Sequence, residues 1–288
     1  MVTGLPEDLL GIVSHVVGEI AAVTDRSWAR PESAVWQITG RSGDSWFVKR
    51  HHSRRFHHRE VTAYRRWTGA LGSSRVPALA AANDSALAII ISGLPGQPAQ
   101  GLAFSLDEER EVHYQAGGLL RRFHQAAQPA DDPGSIERAV ARVEEHLHRA
   151  QGLLSTSQIQ LVRRAADRLQ HAARGVPAVP THGDVQPRNW IWDQAGRQLA
   201  FIDFERAELA PAVRDLVRLE YGPWDRRPDL REAFLDGYGR TLGDNDRELL
   251  ECLAALDALS GIQWGPANND PDVTSRGWRT LERLSLHT

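Results

Sequence analysis

Two short segments of the chain carry residue types suited to moving a phosphoryl group. The first, Thr181-His182-Gly183-Asp184-Val185-Gln186-Pro187-Arg188-Asn189, contains H-x-D-x-x-x-x-N, and the second, Phe201-Ile202-Asp203-Phe204-Glu205, is an apolar run that ends on an aspartate. Transfer of a γ-phosphate to an alcohol needs a carboxylate beside the attacking hydroxyl and hard oxygen ligands for Mg²⁺. Asn189 follows Asp184 by five residues and Asp203 follows it by nineteen, so one tight hairpin can bring the three together. In that arrangement Asp184 orients the hydroxyl and takes its proton, while Asn189 and Asp203 hold the metal.

Lysine gives a separate signal. The 34 basic residues comprise 33 arginines and a single lysine, Lys49. It lies in Ser45-Trp46-Phe47-Val48-Lys49-Arg50, whose alternation reads as a strand. Where reach and hydration matter, the planar arginine fork is a poor substitute for a compact ammonium.

The elements that must position these residues follow from periodicity and breakers. Residues 6–22 have helical spacing, with Pro6 near the start. Residues 27–50 read as two or three strands, 54–71 as a helix carrying Glu60, and 76–79 and 86–91 as further strands. Ser92-Gly93-Leu94-Pro95-Gly96-Gln97-Pro98 breaks the pattern. Beyond it, helices are expected at 106–126, 134–150, 157–174, 212–221, 228–241, 245–263 and 273–286. The expected division is a sheet-rich lobe over 1–92, a hinge over 93–98 and a larger helical lobe over 99–288, with a ligand cleft between the lobes.

With these residues in view, the chain resembles the aminoglycoside phosphotransferase family, small-molecule kinases with a protein-kinase-like fold. The resemblance runs from about residue 30 to about residue 220. It rests on Lys49, the helix carrying Glu60, Leu94-Pro95-Gly96, Leu119-Leu120-Arg121-Arg122-Phe123-His124, the His182–Asn189 loop and Ile202-Asp203-Phe204-Glu205. It implies an α+β, bilobal fold with a small antiparallel-sheet N-lobe and a larger, mainly helical C-lobe. It also implies ATP as co-substrate (GTP is the other option) together with Mg²⁺.

In such a fold Lys49 holds the α- and β-phosphates and Glu60 pairs with it. Ser33, in Arg30-Pro31-Glu32-Ser33-Ala34, meets the β-phosphate where no G-x-G-x-x-G is present. The backbone of Ser92 and Leu94 receives adenine, Asp215 braces the catalytic loop, and His182 packs and bonds nearby backbone. His-Gly-Asp and Asp-Phe-Glu stand where protein kinases have H-R-D and D-F-G, and a helix expected from Pro211 leaves no room for a peptide-docking segment. The resemblance therefore implies a small-molecule acceptor.

Composition narrows the partners. At 288 residues with a net charge of −3, the chain offers no basic field for nucleic acid. Neither a signal peptide nor a membrane span is expected, and nothing implies an obligate protein partner. Cys252 is the sole cysteine, which suits a reducing cytoplasm. The run His51-His52-Ser53-Arg54-Arg55-Phe56-His57-His58 reads as a solvated turn and helix start, not a metal site.

Beyond residue 220, acids and tryptophans point to a cationic, hydroxylated acceptor, with Glu220, Trp224, Asp257 and Trp264 as its candidate contacts. The first expectation is an antibiotic O-phosphotransferase acting on an aminoglycoside or another cationic antibiotic such as a cyclic peptide. The alternative is a metabolic kinase resembling choline, homoserine, methylthioribose or fructosamine kinases. A non-catalytic nucleotide-binding module is disfavoured by intact Lys49, Asp184, Asn189 and Asp203.

Overall fold

The computed structural model describes residues 4–27 and 33–286; Arg30, Pro31 and Glu32 of the expected nucleotide loop lie outside the described residues. In chain order the first elements are α1 (Glu7–Val17), β1 (Ile20–Asp25), β2 (Ser33–Gly40), β3 (Ser45–His51), α2 (Arg54–Arg66), β4 (Leu79–Asn83), β5 (Ala88–Ser92) and β6 (Gln97–Pro98). Next come α3 (Leu106–His124), α4 (Gly134–Ala141), α5 (Val143–Arg149), α6 (Thr156–Ala172), β7 (Ala178–Thr181), β8 (Trp190–Asp193) and β9 (Gln198–Phe201). The chain closes with β10 (Glu208–Pro211), α7 (Val217–Glu220), α8 (Pro228–Tyr238), α9 (Asp244–Ala267) and α10 (Pro271–Ser285). No described helix is long and apolar enough to cross a membrane.

Two compact units form: residues 1–103 with 187–207, and residues 104–186 with 208–288. In the first, an antiparallel sheet has the order β1-β2-β3-β5-β4. One face buries Trp36, Ile38, Val48, Ala88 and Ile90 against Leu9 and Val13 of α1. Side chains alternate along a strand, so with Val48 inward, Lys49 projects to the opposite face. Lys49 sits opposite Val35 of β2 and Ile89 of β5, in the middle strand, where both neighbours fix its backbone.

The helix expected over 6–22 stops at Val17. Gly18, at φ 77°, turns the chain, and Ile20–Asp25 joins the sheet as an edge strand. The connector also behaves as a strand: Gln97 and Pro98 pair with Trp192 and Ile191 of β8. A Cβ on Gly96 would lie 2.3 Å from the Trp192 carbonyl oxygen, so this approach needs glycine. This pairing groups the hairpin carrying Asn189 and Asp203 with the amino-terminal unit, whereas the sequence-based division assigns it to residues 99–288.

The second unit is mainly helical. Its α3 and α8 touch backbone to backbone: a Cβ on Gly117 would lie 2.0 Å from Phe234 O, and one on Gly237 would lie 1.9 Å from Tyr114 O. The helix expected over 134–150 is two, broken at Arg142, and the one expected over 212–221 begins as a 3₁₀ turn over Ala212–Leu216 before α7. Helix α9 runs to Ala267, and Asp270 caps α10 by accepting from Val273 N at 3.1 Å. A short antiparallel ladder of β7 and β10, with Thr181 opposite Glu208, anchors the start of the His182–Asp184 loop.

Candidate active site

In the first unit the chemistry gathers around Lys49, which is only 7% exposed. Its Nζ lies 2.5 Å from Asp203 Oδ1, 2.9 Å from Glu60 Oε2 and 2.9 Å from Glu205 Oε2. Glu60 comes from α2, and its Oε1 accepts from Phe204 N at 3.2 Å. One carboxylate therefore ties the lysine to the backbone that follows Asp203. Asp203 has φ 68°, a left-handed conformation that is uncommon outside glycine and collects at functional sites. Asn189 closes a 3₁₀ turn, and its carbonyl accepts from Ile202 N at 3.0 Å, which sets it beside the end of β9.

The charges explain how these groups coexist in a buried place. Burial works against the Lys49 ammonium, but Asp203, Glu60 and Glu205 outweigh it and hold its pKa well above the ordinary lysine value. Burial likewise opposes ionisation of Glu60, yet Lys49, aided by His51, keeps that carboxyl below its usual range. Glu205 goes the other way: burial raises it, and although Lys49 counteracts this, Asp203 and Glu60 add repulsion. Three carboxylates thus share one ammonium. The surplus negative charge and the hard oxygen donors of Asp203 and Asn189 fit a divalent cation of the Mg²⁺ type.

His51, read from sequence as part of a solvated turn, is buried, with Nε2 2.6 Å from Glu60 Oε2. The reason is that β3 extends through His51 and carries it into the sheet. His57 is buried too, whereas His52 and His58 are exposed. His51, Glu60 and Glu205 offer ligand atoms within 4.8 Å of one another, but Lys49 already pairs with both acids.

Asp184 belongs to the second unit and is buried, 3% exposed. Its Oδ1 accepts from Arg218 Nη1 of α7 and from Gln186 Nε2. The loop before it is fixed by Asp215, whose two oxygens accept from His182 N at 2.8 Å and Gly183 N at 2.6 Å. His124 Nε2 lies 3.0 Å from the same carboxylate, and its Nδ1 lies 2.7 Å from Tyr238 Oη. Burial would raise the Asp215 carboxyl, but bonding to His124, its charge and that of His182, and the Gly183 N–H together lower it. His182 itself packs beside Phe123, ring centroids 6.5 Å apart.

The remaining sequence candidates are placed as follows. Ser33 opens β2, opposite His51. Ser92 ends β5; its N–H donates to Ala78 O, and its hydroxyl accepts from Ala78 N, both at 2.9 Å, so these two groups serve the sheet. Leu94 lies in the connector, half-buried. Trp224 is 3% exposed and packs edge-on against Phe234, which makes it a core side chain, not a surface for a ligand. Glu220 pairs with Arg231 at 2.8 Å and Arg283 at 3.3 Å, and Asp257 with Arg218 at 3.1 Å and Arg276 at 3.7 Å. Trp264 lies half-buried near the end of α9.

Residues 30–283 match the model of the phosphotransferase enzyme family. The chain belongs to that family. It is a phosphotransferase, a kinase acting on hydroxyl groups. Solved structures show the same fold at low identity. An aminoglycoside phosphotransferase in complex with GDP and kanamycin aligns with TM-score 0.72 and 15% identity, over 98% of this chain and 100% of that one. A thermostable mutant of the aminoglycoside phosphotransferase APH(4)-Ia, in apo form, aligns with TM-score 0.71 and 14% identity, over 95% and 97%. A choline/ethanolamine kinase family protein from Mesorhizobium loti aligns with TM-score 0.70 and 16% identity, over 97% and 92%. No curated protein matches the chain by sequence.

Sequence reasoning about this phosphotransferase missed three contributors. Glu205 stood two residues after Asp203, and that spacing was a usable signal. Gln186 had the same relation to Asp184. Arg218 carried no local signal, because 34 residues separate it from the carboxylate it meets.

Proposed function

We propose that the phosphotransferase transfers the γ-phosphate of ATP, or of GTP, to a hydroxyl of a small-molecule antibiotic, an aminoglycoside or another cationic antibiotic such as a cyclic peptide, and thereby confers resistance. The observation that carries the phosphoryl-transfer chemistry is the buried Lys49 ammonium with Glu60, Asp203 and Glu205 around it. In this reading Asp184 takes the acceptor's proton, Lys49 meets the α- and β-phosphates, and Glu60 fixes the reach of the lysine. Ser33, Ser92 and Leu94 contact the nucleotide. Asn189 and Asp203 would hold Mg²⁺, which when bound supplies neutralisation of phosphate charge. Residues 1–92, 93–98 and 99–288 act as nucleotide lobe, hinge, and catalytic and acceptor lobe, and the lone thiol Cys252 suits a cytoplasmic setting.

A second reading, a metabolic small-alcohol kinase, draws support from the arginine pairs. Glu220 and Asp257 were the acids that favoured a cationic acceptor, and both are matched by guanidinium groups. Their field is thereby reduced, and the case for a polycation weakens. ADP release on adding aminoglycosides, a cyclic peptide antibiotic, choline or homoserine separates the readings. Turnover with an antibiotic supports the first; turnover with a metabolic alcohol alone overturns it.

A further inference from the structure

The base proposed above does not stand alone. Asp184, Gln186, Arg218, Asp257 and Arg276 form a closed ring of polar contacts within the second unit. Arg218 Nη1 and Gln186 Nε2 both donate to Asp184 Oδ1. Arg218 Nη2 donates to Asp257 Oδ1 at 3.1 Å, and Asp257 Oδ2 lies 3.7 Å from Arg276 Nη2. Arg276 Nη1 returns to Gln186 Oε1 at 3.2 Å. The five residues come from the catalytic loop, α7, α9 and α10, so helices far along the chain reach the carboxylate. Two acidic and two basic side chains balance, the pairing that partly buried charges need.

We propose that Arg218 is a positioning residue for phosphoryl transfer: it fixes Asp184 through Oδ1 and sets a guanidinium against it, and Asp257 and Arg276 in turn hold Arg218 and Gln186 in place. The proposal rests on Asp184 being the base. A carboxylate whose one oxygen accepts from both Arg218 Nη1 and Gln186 Nε2 has its rotation about χ2 restrained and its lone pairs aimed, which is the requirement for a hydroxyl to be oriented before transfer. Burial opposes the Arg218 charge, but Asp257 and then Asp184 overcome it and push its pKa up, so it remains a cation throughout the working range. Without it, Asp184 would keep its burial and lose the guanidinium that faces Oδ1, a change that favours the protonated form of a carboxyl.

The test uses the full chain with ¹³C-labelled aspartate. The Asp184 carboxyl signal is identified by its loss in Asp184→Asn, and it is followed from about pH 7 to about pH 4.5, above the ordinary aspartate value of about 3.9. The wild-type signal is expected to stay flat, the Arg218→Gln signal to titrate within that window, and Arg218→Lys to fall between them. In parallel, ADP release is measured with MgATP alone (water as acceptor) and with whichever probe of the antibiotic and alcohol panel turns over. Arg218→Gln should lower kcat by about 10²-fold with the KM for ATP unchanged, and Arg218→Lys should recover part of the loss. An Arg218→Gln protein with wild-type kcat, whatever its Asp184 signal, overturns the proposal. Asp184→Ala serves as the separate control: its full activity would refute the base itself, whereas an inactive Asp184→Ala beside a fully active Arg218→Gln would refute only the role of the arginine. If Arg218→Gln does not fold, the Arg218→Lys signal and rate decide by the same criteria.

Discussion

Lys49 Nζ and Asp203 Oδ1 lie 2.5 Å apart although 154 residues separate them in the chain. The pairing joins the central strand of the sheet to the end of the β8–β9 hairpin, and Glu60 reinforces it by bonding both Lys49 and the backbone of Phe204. A lone ammonium among three acids has the reach and charge to meet phosphate. Lys49→Met should therefore lower turnover by about 10²–10³-fold, the scale seen when one electrostatic donor to a developing charge is lost. Lys49→Arg should restore little, because the guanidinium cannot occupy the compact space between Glu60 and Glu205. Steady-state ADP release checks both.

Divalent-metal dependence should follow the same acids. Chelation with EDTA is expected to abolish turnover and added Mg²⁺ to restore it. Asp203→Asn should raise the Mg²⁺ concentration giving half-maximal rate by at least about tenfold. An unchanged Mg²⁺ requirement in that variant would remove Asp203 from the metal site.

Asp215 should matter to stability, with a defined pH signature. Its folded-state carboxyl lies below the ordinary value of 3.8, so the stability it contributes is fully present above that value and is lost as pH falls through the lower folded value. Asp215→Asn should cost about 2–3 kcal/mol at pH 7, since a charged acceptor of the His182 and Gly183 N–H groups is lost. Urea unfolding should show the gap to wild type narrowing below about pH 4.

The glycine contact between α3 and α8 gives a packing prediction. Gly237→Ala places a methyl group 1.9 Å from the Tyr114 carbonyl oxygen unless the helices separate. A loss of about 1–3 kcal/mol is expected, read from the shift of the urea midpoint.

Much of this molecule was legible in its sequence because the signals were local. The spacing of Asp184, Asn189 and Asp203 reflects one loop and one hairpin, and Lys49 declared itself by being the only lysine. Glu60 was reachable because a helix follows the lysine strand directly. Failures came where tertiary contacts decide. Residues 20–22 continue the helical pattern expected over 6–22 until Gly18 is seen to turn the chain, and the sheet edge then claims Ile20–Asp25. Trp224 and the acids after residue 220 look like ligand contacts in one dimension. Only the fold shows Trp224 against Phe234, and Glu220 and Asp257 against arginines. His51 sits among four histidines, and nothing local says that its strand continues inward to Glu60.

Proton removal by Asp184 is tested most directly by mass spectrometry of an acceptor incubated with ATP, Mg²⁺ and either wild-type protein or Asp184→Ala, with nucleotide binding measured on both. One added phosphate is expected with wild type, and a rate lower by about 10²–10⁴-fold with the variant while nucleotide affinity is retained. Equal phosphorylation by the two proteins would contradict the assignment.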